Sequence, residues 1–423
     1  MERAMLTEKE YEIALSYAHD DKKIAELLRV ELENIFSDGF FMDVSRTEEL
    51  ADAAIFEEKL RDIFQRSRYW IILYSKNYEK GKFTNVEKEG ILKLSSGKRS
   101  HLFIININDN EIIKAFPDAN EYIPLYVQNQ DDGEWEIDVN VHSQIYDIVH
   151  NYIKKRMIRK IICGSNKAGE FALNVHTTYD HGNDFKWRMD YDWNMSGKAF
   201  ISSGGRSVKE GCTWQELWDY LEKDFIWIKD NLDSNVRRKI CLNCQLSVSY
   251  KLGQIYGDLG QGSGNRNLEL RSKNRVMDIV FPLEKKIDYD ITGFDFCTKC
   301  EGNDTKSKDF VCIISIKPRI AGDILGTVKS YLESQGKKYC GIYLFQKRTM
   351  ISDSTTLENM AEYIREKMCQ CQKECGSGYT VHLFPDTAAP LMFVLGARTI
   401  VSGKIQLYEY KMEENSYEMS LVR

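Results

Sequence analysis

Between Tyr11 and Ile153 short apolar runs alternate with stretches whose apolar residues recur every three or four positions. That alternation is the tightest constraint on the fold. The apolar runs are strands buried on both faces, and the stretches between them are helices with one apolar side. Tyr11–Tyr17 is the first run. Ile24, Leu27, Leu28, Leu32 and Ile35 then mark a helix, entered through His19-Asp20-Asp21 as a loop and N-cap and stopped by Asp38-Gly39. Phe40–Asp43 is the second strand. Ile55, Leu60, Ile63 and Phe64 mark a second helix, and Tyr69–Tyr74 is the third strand. Glu87–Leu94 is helical, His101–Ile107 is a fourth strand, and Ile145–Ile153 closes the unit as an amphipathic helix. Strands and helices alternating at this spacing predict a parallel sheet covered on both faces, in a unit of roughly 150 residues. Neither GxGxxG nor GxxxxGK[ST] occurs, which disfavours a Rossmann dinucleotide site and a P-loop kinase.

A chain of 423 residues extends well beyond one such unit and predicts two or three domains. At 43% hydrophobic and 29% charged residues it has the composition of an ordinary globular protein. No run of 18 apolar residues predicts a membrane span, the polar start does not resemble a signal peptide, and eleven scattered cysteines suit a reducing compartment. A cytoplasmic location is expected. Residues 1–155 hold 20 Lys+Arg against 30 Asp+Glu, a net of −10, which leaves 38 against 34, a net of +4, for the rest. That balance could hold a small anion. It is too weak to predict binding to long nucleic acid.

One stretch carries the chemistry. The strand Ile71–Tyr74 ends in Ser75, a polar loop with Gly81 follows, and Phe83-Thr84-Asn85-Val86-Glu87 opens a helix with Glu87 on its first turn. A carboxylate there stands beside the C-terminal end of a strand, where open α/β sheets bind ligands. The alternative is an acidic residue favoured by the helix dipole. Ser75 reads as a loop-capping hydroxyl, because no histidine lies near it in sequence.

Four segments in register resemble the TIR domain family: Tyr11–Ala18, Gly39–Asp43, Ile72–Tyr78 and Phe83–Glu87. The resemblance implies a flavodoxin-like domain over 1–158 and, for the NAD-cleaving members, a catalytic glutamate at Glu87. Such a carboxylate would stabilise the oxocarbenium-like state formed as the nicotinamide–ribose bond breaks. Neutral nicotinamide leaves without a general acid. By position, Ser16, Tyr17, Ala18, Asp43 and Phe83 are the expected substrate-binding residues, although Tyr17 and Phe83 also read as core aromatics. Bacterial members often have Trp where this chain has Phe83. Ser45–Leu50 corresponds to the BB loop, which in the family governs domain contacts and access to the cleft.

After Lys160 the pattern changes. Phe171–His176 and Phe185–Met189 read as a hairpin around Asp180–Asn183, and Trp214, Leu217, Trp218, Leu221 and Phe225 form a helical stripe. A pattern repeat with an offset of 143 residues links Ile240–Gly253 to Leu383–Gly396. Each copy is an apolar strand, a small-residue turn and a helix ending in Leu-Gly, followed by a further strand (Asn267–Leu270 and Ile405–Tyr408). Between them Phe310–Ile316, Ala321–Leu332, Tyr339–Phe345 and Thr356–Met368 alternate as strand, helix, strand and helix. Two such half-units predict a pseudo-dimer with one cleft.

His382–Pro390, Leu395-Gly396 and Ile405–Tyr410, in that order, resemble the SAVED domain, a fused pair of CARF-like Rossmann-type units that senses cyclic oligonucleotides; the resemblance covers about 165–423 and implies a domain over 159–423. Small-residue turns before helices admit phosphates to backbone N–H groups. Gln245, Ser247, Lys317, Arg319, Pro385, Thr387 and Ala388 are the expected ligand contacts. Arg271, Lys273 and Arg275 form a basic cluster that reads equally as a solvated edge strand. Cys241-x-x-Cys244 and Cys297-x-x-Cys300 could hold zinc, but a strand would turn the first pair to opposite faces, so free thiols are the default and no metal is assigned.

TIR followed by SAVED resembles a CBASS anti-phage effector. The resemblance implies an NAD+ glycohydrolase with no bound cofactor, NAD+ being the substrate. A cyclic oligonucleotide made by a partner nucleotidyltransferase, and of trinucleotide type by family, would activate it. Activation would proceed by head-to-tail assembly into an oligomer or filament. A non-catalytic TIR adaptor switched by the nucleotide is the alternative, and a cyclic ADP-ribose product is a third reading.

Overall fold

The computed structural model describes residues 11–36, 40–42, 62–80, 82–95, 101–108, 112–116, 122–129, 135–176, 191–194, 213–257, 266–272, 275–281, 296–318, 322–351, 353–376, 378–398, 403–411, 414 and 416–422. The chain divides into two compact units, Met1–Ile161 and Ile162–Arg423.

The first unit is built on β1 (Tyr11–Tyr17), α1 (Lys22–Phe36), β2 (Phe40–Met42), β3 (Ser67–Tyr74), α2 (Lys82–Ser95), β4 (Leu102–Ile107) and β5 (Ile123–Leu125). Its strands lie in the order β2-β1-β3-β4-β5 and all pair parallel. Alternate residues feed two cores. Ile13, Leu15, Tyr17, Ile71 and Leu73 pack with Leu28 and Leu32 of α1. Ala14, Trp70, Ile72 and Tyr74 pack with Ile63, Phe64 and Ile91 on the other face. Burial on both faces is why these strands read as continuous apolar runs rather than alternating ones. The closing helix starts earlier than its apolar pattern suggests. Asp138 caps it through the Val141 N–H (2.8 Å), and α3 (Val139–Tyr146) runs through a π-helical stretch, Asp147–Ile153, into α4 (Lys154–Ala168).

The second unit contains two sheets. The first comprises β6 (Glu170–His176), β7 (Tyr191–Asn194), β8 (Arg237–Asn243), β9 (Arg266–Ser272) and β10 (Arg275–Phe281), in the order β10-β9-β8-β6-β7. The second comprises β11 (Cys297–Glu301), β12 (Phe310–Ile316), β13 (Gly341–Lys347), β14 (Thr380–Asp386), β15 (Lys404–Lys411) and β16 (Ser416–Val422), in the order β11-β13-β12-β14-β15-β16. Replacing β6, β7, β8, β9 and β10 by β12, β13, β14, β15 and β16 turns one order into the other. The senses match too: three parallel pairings, then an antiparallel edge. β8 and β14 are offset by 143 residues at both ends, the interval of the sequence repeat. Among the described residues β11, antiparallel to β13, is the strand with no counterpart in the first sheet.

The halves meet through α6 (Leu246–Gly257) and α9 (Ala389–Arg398). The repeat places Gly253 and Gly396 inside these helices rather than at their ends. A Cβ at Gly253 would overlap the carbonyl oxygen of Phe393, and a Cβ at Gly396 would overlap that of Tyr250. The contact is reciprocal, as a two-fold relation demands. Ser249 Oγ donates to Ala389 O (2.6 Å), and Trp218 Nε1, on the helix α5 (Trp214–Asn231), donates to Ser420 O (2.7 Å).

The hairpin strand Phe185–Met189 lies outside the described residues, and the strand seen beside β6 is β7, running parallel. Cys297 and Cys300 sit on the edge strand β11. Among the described residues no three His, Cys, Asp or Glu side chains gather as metal ligands, and no helix is long and apolar enough to cross a membrane.

Candidate functional site

In the first unit β1 and β3 are neighbours, and the strand order departs in opposite directions from them. That divergence is the switch point at which an open parallel sheet leaves a crevice beyond its C-terminal strand ends. β1 ends in Ser16 and Tyr17, and β3 is followed by Ser75 and then Tyr78 in a single 3-10 turn. α2 begins at Lys82, so Glu87 stands on its second turn, not its first. The dipole of an N-terminal turn therefore does little to explain this carboxylate.

Glu87 reaches across the switch point. Ser16 Oγ donates to Glu87 Oε2 at 2.5 Å and lies 2.6 Å from Tyr78 Oη. All three residues are buried, Glu87 retaining 8% exposure, and burial together with the Glu87 charge pushes the Tyr78 phenol well above its ordinary range. Thr84 Oγ1 donates to the Tyr78 carbonyl, tying the start of α2 to the same turn. A second carboxylate, Asp21, is fully buried beside it. It accepts from Ser75 Oγ (2.6 Å), Asn77 Nδ2 (3.1 Å) and Trp135 Nε1 (2.9 Å). Asp21 thereby pins the turn after β1 to the loop after β3. Ser75 also accepts from the Asn77 N–H (3.0 Å), the geometry of a loop cap.

Of the expected substrate residues, Ser16 touches Glu87, Tyr17 belongs to the core cluster on the α1 face, and Ala18 follows β1 in the opposite core. Phe83 falls in the first turn of α2, with its side chain outside the described set, and Asp43 and the 45–50 loop lie outside the described residues.

In the second unit the corresponding switch points lie between β6 and β8 and between β12 and β14. Gln245 and Ser247 open α6 and are both buried. The Ser247 N–H donates to Glu409 Oε1 (2.6 Å), so a carboxylate from β15 of the other half occupies this helix N-terminus. Burial, then the Glu409 charge, raises the Cys244 thiol well above its ordinary range. In the second half Lys317, after β12, forms an ion pair with Asp386 at the end of β14. Thr387 Oγ1 donates to Ile316 O (3.1 Å), Ala388 precedes α9, and Pro385 lies inside β14 opposite Ile314. Arg319 and Lys273 lie outside the described residues; Arg271 and Arg275 sit on β9 and β10.

Sequence reasoning passed over Asp21, Tyr78, Trp135 and Glu409 as site residues. Their partners lie 54 to 162 positions away, and only the fold joins them. A buried-looking acid beside a strand end, as in Ala18-His19-Asp20-Asp21, was the one local signal.

Among curated proteins none matches the chain in sequence. Solved structures of similar course include the Acinetobacter baumannii Cap4 SAVED/CARF-domain containing receptor with the cyclic trinucleotide 3'3'3'-cAAA, at 13% identity and TM-score 0.45, over 88% of this chain and 86% of that one. They also include the Moraxella osloensis Cap4 SAVED/CARF-domain containing receptor, at 13% identity and TM-score 0.39, over 88% and 85%. Likeness at that level carries no functional argument. The family comparison is firmer: residues 286–422, which span the second sheet and its helices, match the SAVED domain, the SMODS-associated and fused to various effectors sensor domain.

Proposed function

We propose that the chain is a cyclic-oligonucleotide-activated NAD+ glycohydrolase of the CBASS type, with a flavodoxin-like TIR domain in the first unit and a SAVED sensor in the second. The observation that carries the catalytic half is the buried Glu87 carboxylate at the switch point of a parallel 2-1-3-4-5 sheet, hydrogen-bonded to the strand on the far side of that point. In the reaction the bond between ribose C1′ and the nicotinamide nitrogen breaks, and its electron pair stays with nicotinamide. The positive charge left on the sugar is stabilised by Glu87. Water adds its oxygen to C1′ and releases a proton, giving ADP-ribose.

The sensing half is supported by the SAVED match and by the pairing of two sheets of one topology. Lys317 and the N-terminus of α6 are the natural phosphate contacts, and both are engaged by the protein's own carboxylates, Asp386 and Glu409. An activating ligand would exchange its phosphates for those carboxylates. Ligand-driven head-to-tail assembly then brings copies of the first unit together, and a heterologous contact of that kind grows into an open filament.

The test is NAD+ loss by the full chain against a panel of cyclic di-, tri- and tetranucleotides, with particle size followed in parallel. Nicotinamide release with one ligand, abolished in Glu87→Ala, is the expected result. Assembly without turnover under every ligand would leave the adaptor reading in its place.

A further inference from the structure

The Glu87 carboxylate is held by a serine, and the serine is held in turn. Ser16 carries one hydroxyl proton. With that proton on Glu87 Oε2 at 2.5 Å, the Ser16 oxygen can only accept at its 2.6 Å contact with Tyr78 Oη, so the phenol is the donor. Tyr78 is fully buried and kept protonated by burial and by the Glu87 charge, so donation persists across the working pH range. Its backbone is fixed as well. The Tyr78 N–H donates to Ser75 O (3.0 Å), its carbonyl accepts from Thr84, and its ring packs against Tyr74 with centroids 5.8 Å apart. The residue that orients Ser16 also anchors the helix that carries Glu87.

We propose that Tyr78 is a positioning residue for Glu87: through Ser16 it directs a hydroxyl proton at the carboxylate, which keeps Glu87 ionised and fixed in orientation. The inference rests on the reading of Glu87 as the carboxylate that serves NAD+ cleavage. Hydrogen bonds donated to a charged carboxylate favour that form, and cooperative donors strengthen one another. Removing the distal donor should therefore reach Glu87 although Tyr78 does not touch it.

Tyr78→Phe removes one oxygen and keeps the ring. In the full chain carrying 13C-carboxyl glutamate, the Glu87 resonance, assigned by its loss in Glu87→Gln, should titrate at higher pH in Tyr78→Phe and higher still in Ser16→Ala. Adding Tyr78→Phe to Ser16→Ala should cause no further shift, because the path runs through Ser16. With an activating nucleotide, kcat for NAD+ should fall about tenfold with KM within about twofold, and the acid limb of the pH profile should move up. A folded Tyr78→Phe with an unmoved Glu87 titration overturns the relay, whether or not the wild type cleaves NAD+. A moved titration in a protein that cleaves no NAD+ under any ligand retains the relay and removes the catalytic reading. If Tyr78→Phe does not fold, a Ser16→Ala titration equal to wild type overturns the relay.

Discussion

The two candidate sites handle their carboxylates in opposite ways. In the first, Glu87 accepts from a neutral hydroxyl, that of Ser16, which is backed by a second one, that of Tyr78. In the second, Glu409 is spent on a helix N-terminus and Asp386 on Lys317, so each acid cancels a site that could otherwise take an anion. A carboxylate that accepts from a neutral hydroxyl keeps its charge and can stabilise positive charge. A carboxylate paired with an N–H or an ammonium stands where a phosphate could. Under the proposed function, the contrast separates a site suited to a cationic transition state from one suited to a polyanionic ligand.

The largest effect should come from breaking the first side of that contrast. Glu87→Gln preserves shape and leaves one oxygen to accept from Ser16 but removes the charge, and NAD+ cleavage should fall at least about 10³-fold with an unchanged circular dichroism spectrum. Gly253→Ala or Gly396→Ala attacks the frame on which the second side is mounted. Each should cost about 1–3 kcal/mol of unfolding free energy, measured in urea, and the pair less than their sum because one displacement relieves both.

Freeing the self-paired sites is a smaller change with opposite signs. Asp386→Asn should tighten binding of the activating nucleotide about fivefold by calorimetry, whereas Lys317→Ala should weaken it by a similar factor. Equal weakening by both would mean that the pair is structural.

The smallest effect sharpens the comparison within the second unit. His382 on β14 is buried, with Nδ1 2.8 Å from Tyr408 Oη and Nε2 3.5 Å from Asp309 Oδ2. The same position on β8 holds Lys239, paired with Glu170 at 2.5 Å. Burial lowers the His382 pKa, against the charge and hydrogen bond of Asp309. Below its ordinary 6.5 the unfolded chain therefore binds the proton more readily than the folded one. Stability should be complete above about pH 6.5 and decline as the pH falls towards the folded-state value, and His382→Gln should flatten that decline.

The backbone frame was largely legible in the chain. β3 and β12 are apolar runs buried on both faces, and the offset of 143 residues reappears as β8 and β14. Side-chain placement was legible only where a motif was local, as with Glu87 beyond the end of β3. Tyr78, within Ile72–Tyr78, and Glu409, within Ile405–Tyr410, gave no local sign of their partners, because Ser16 lies 62 positions and Ser247 162 positions away. The helix start at Lys82 was hidden as well, because Lys82-Phe83-Thr84-Asn85 carries no apolar period. The glycines of the two Leu-Gly pairs were taken for helix stops, the commonest use of glycine there, whereas their missing Cβ atoms serve a close helix crossing.

That crossing has a mechanical consequence. Backbone meets backbone at Gly253 and Gly396, so at these two points α6 and α9 have no side-chain cushion and the joint has little compliance there. A pull on one sheet is then transmitted to the other as translation or rotation of the whole pair, instead of being absorbed by side chains changing rotamer. The halves form a single stiff lever, and whatever bends when a ligand arrives must bend outside it.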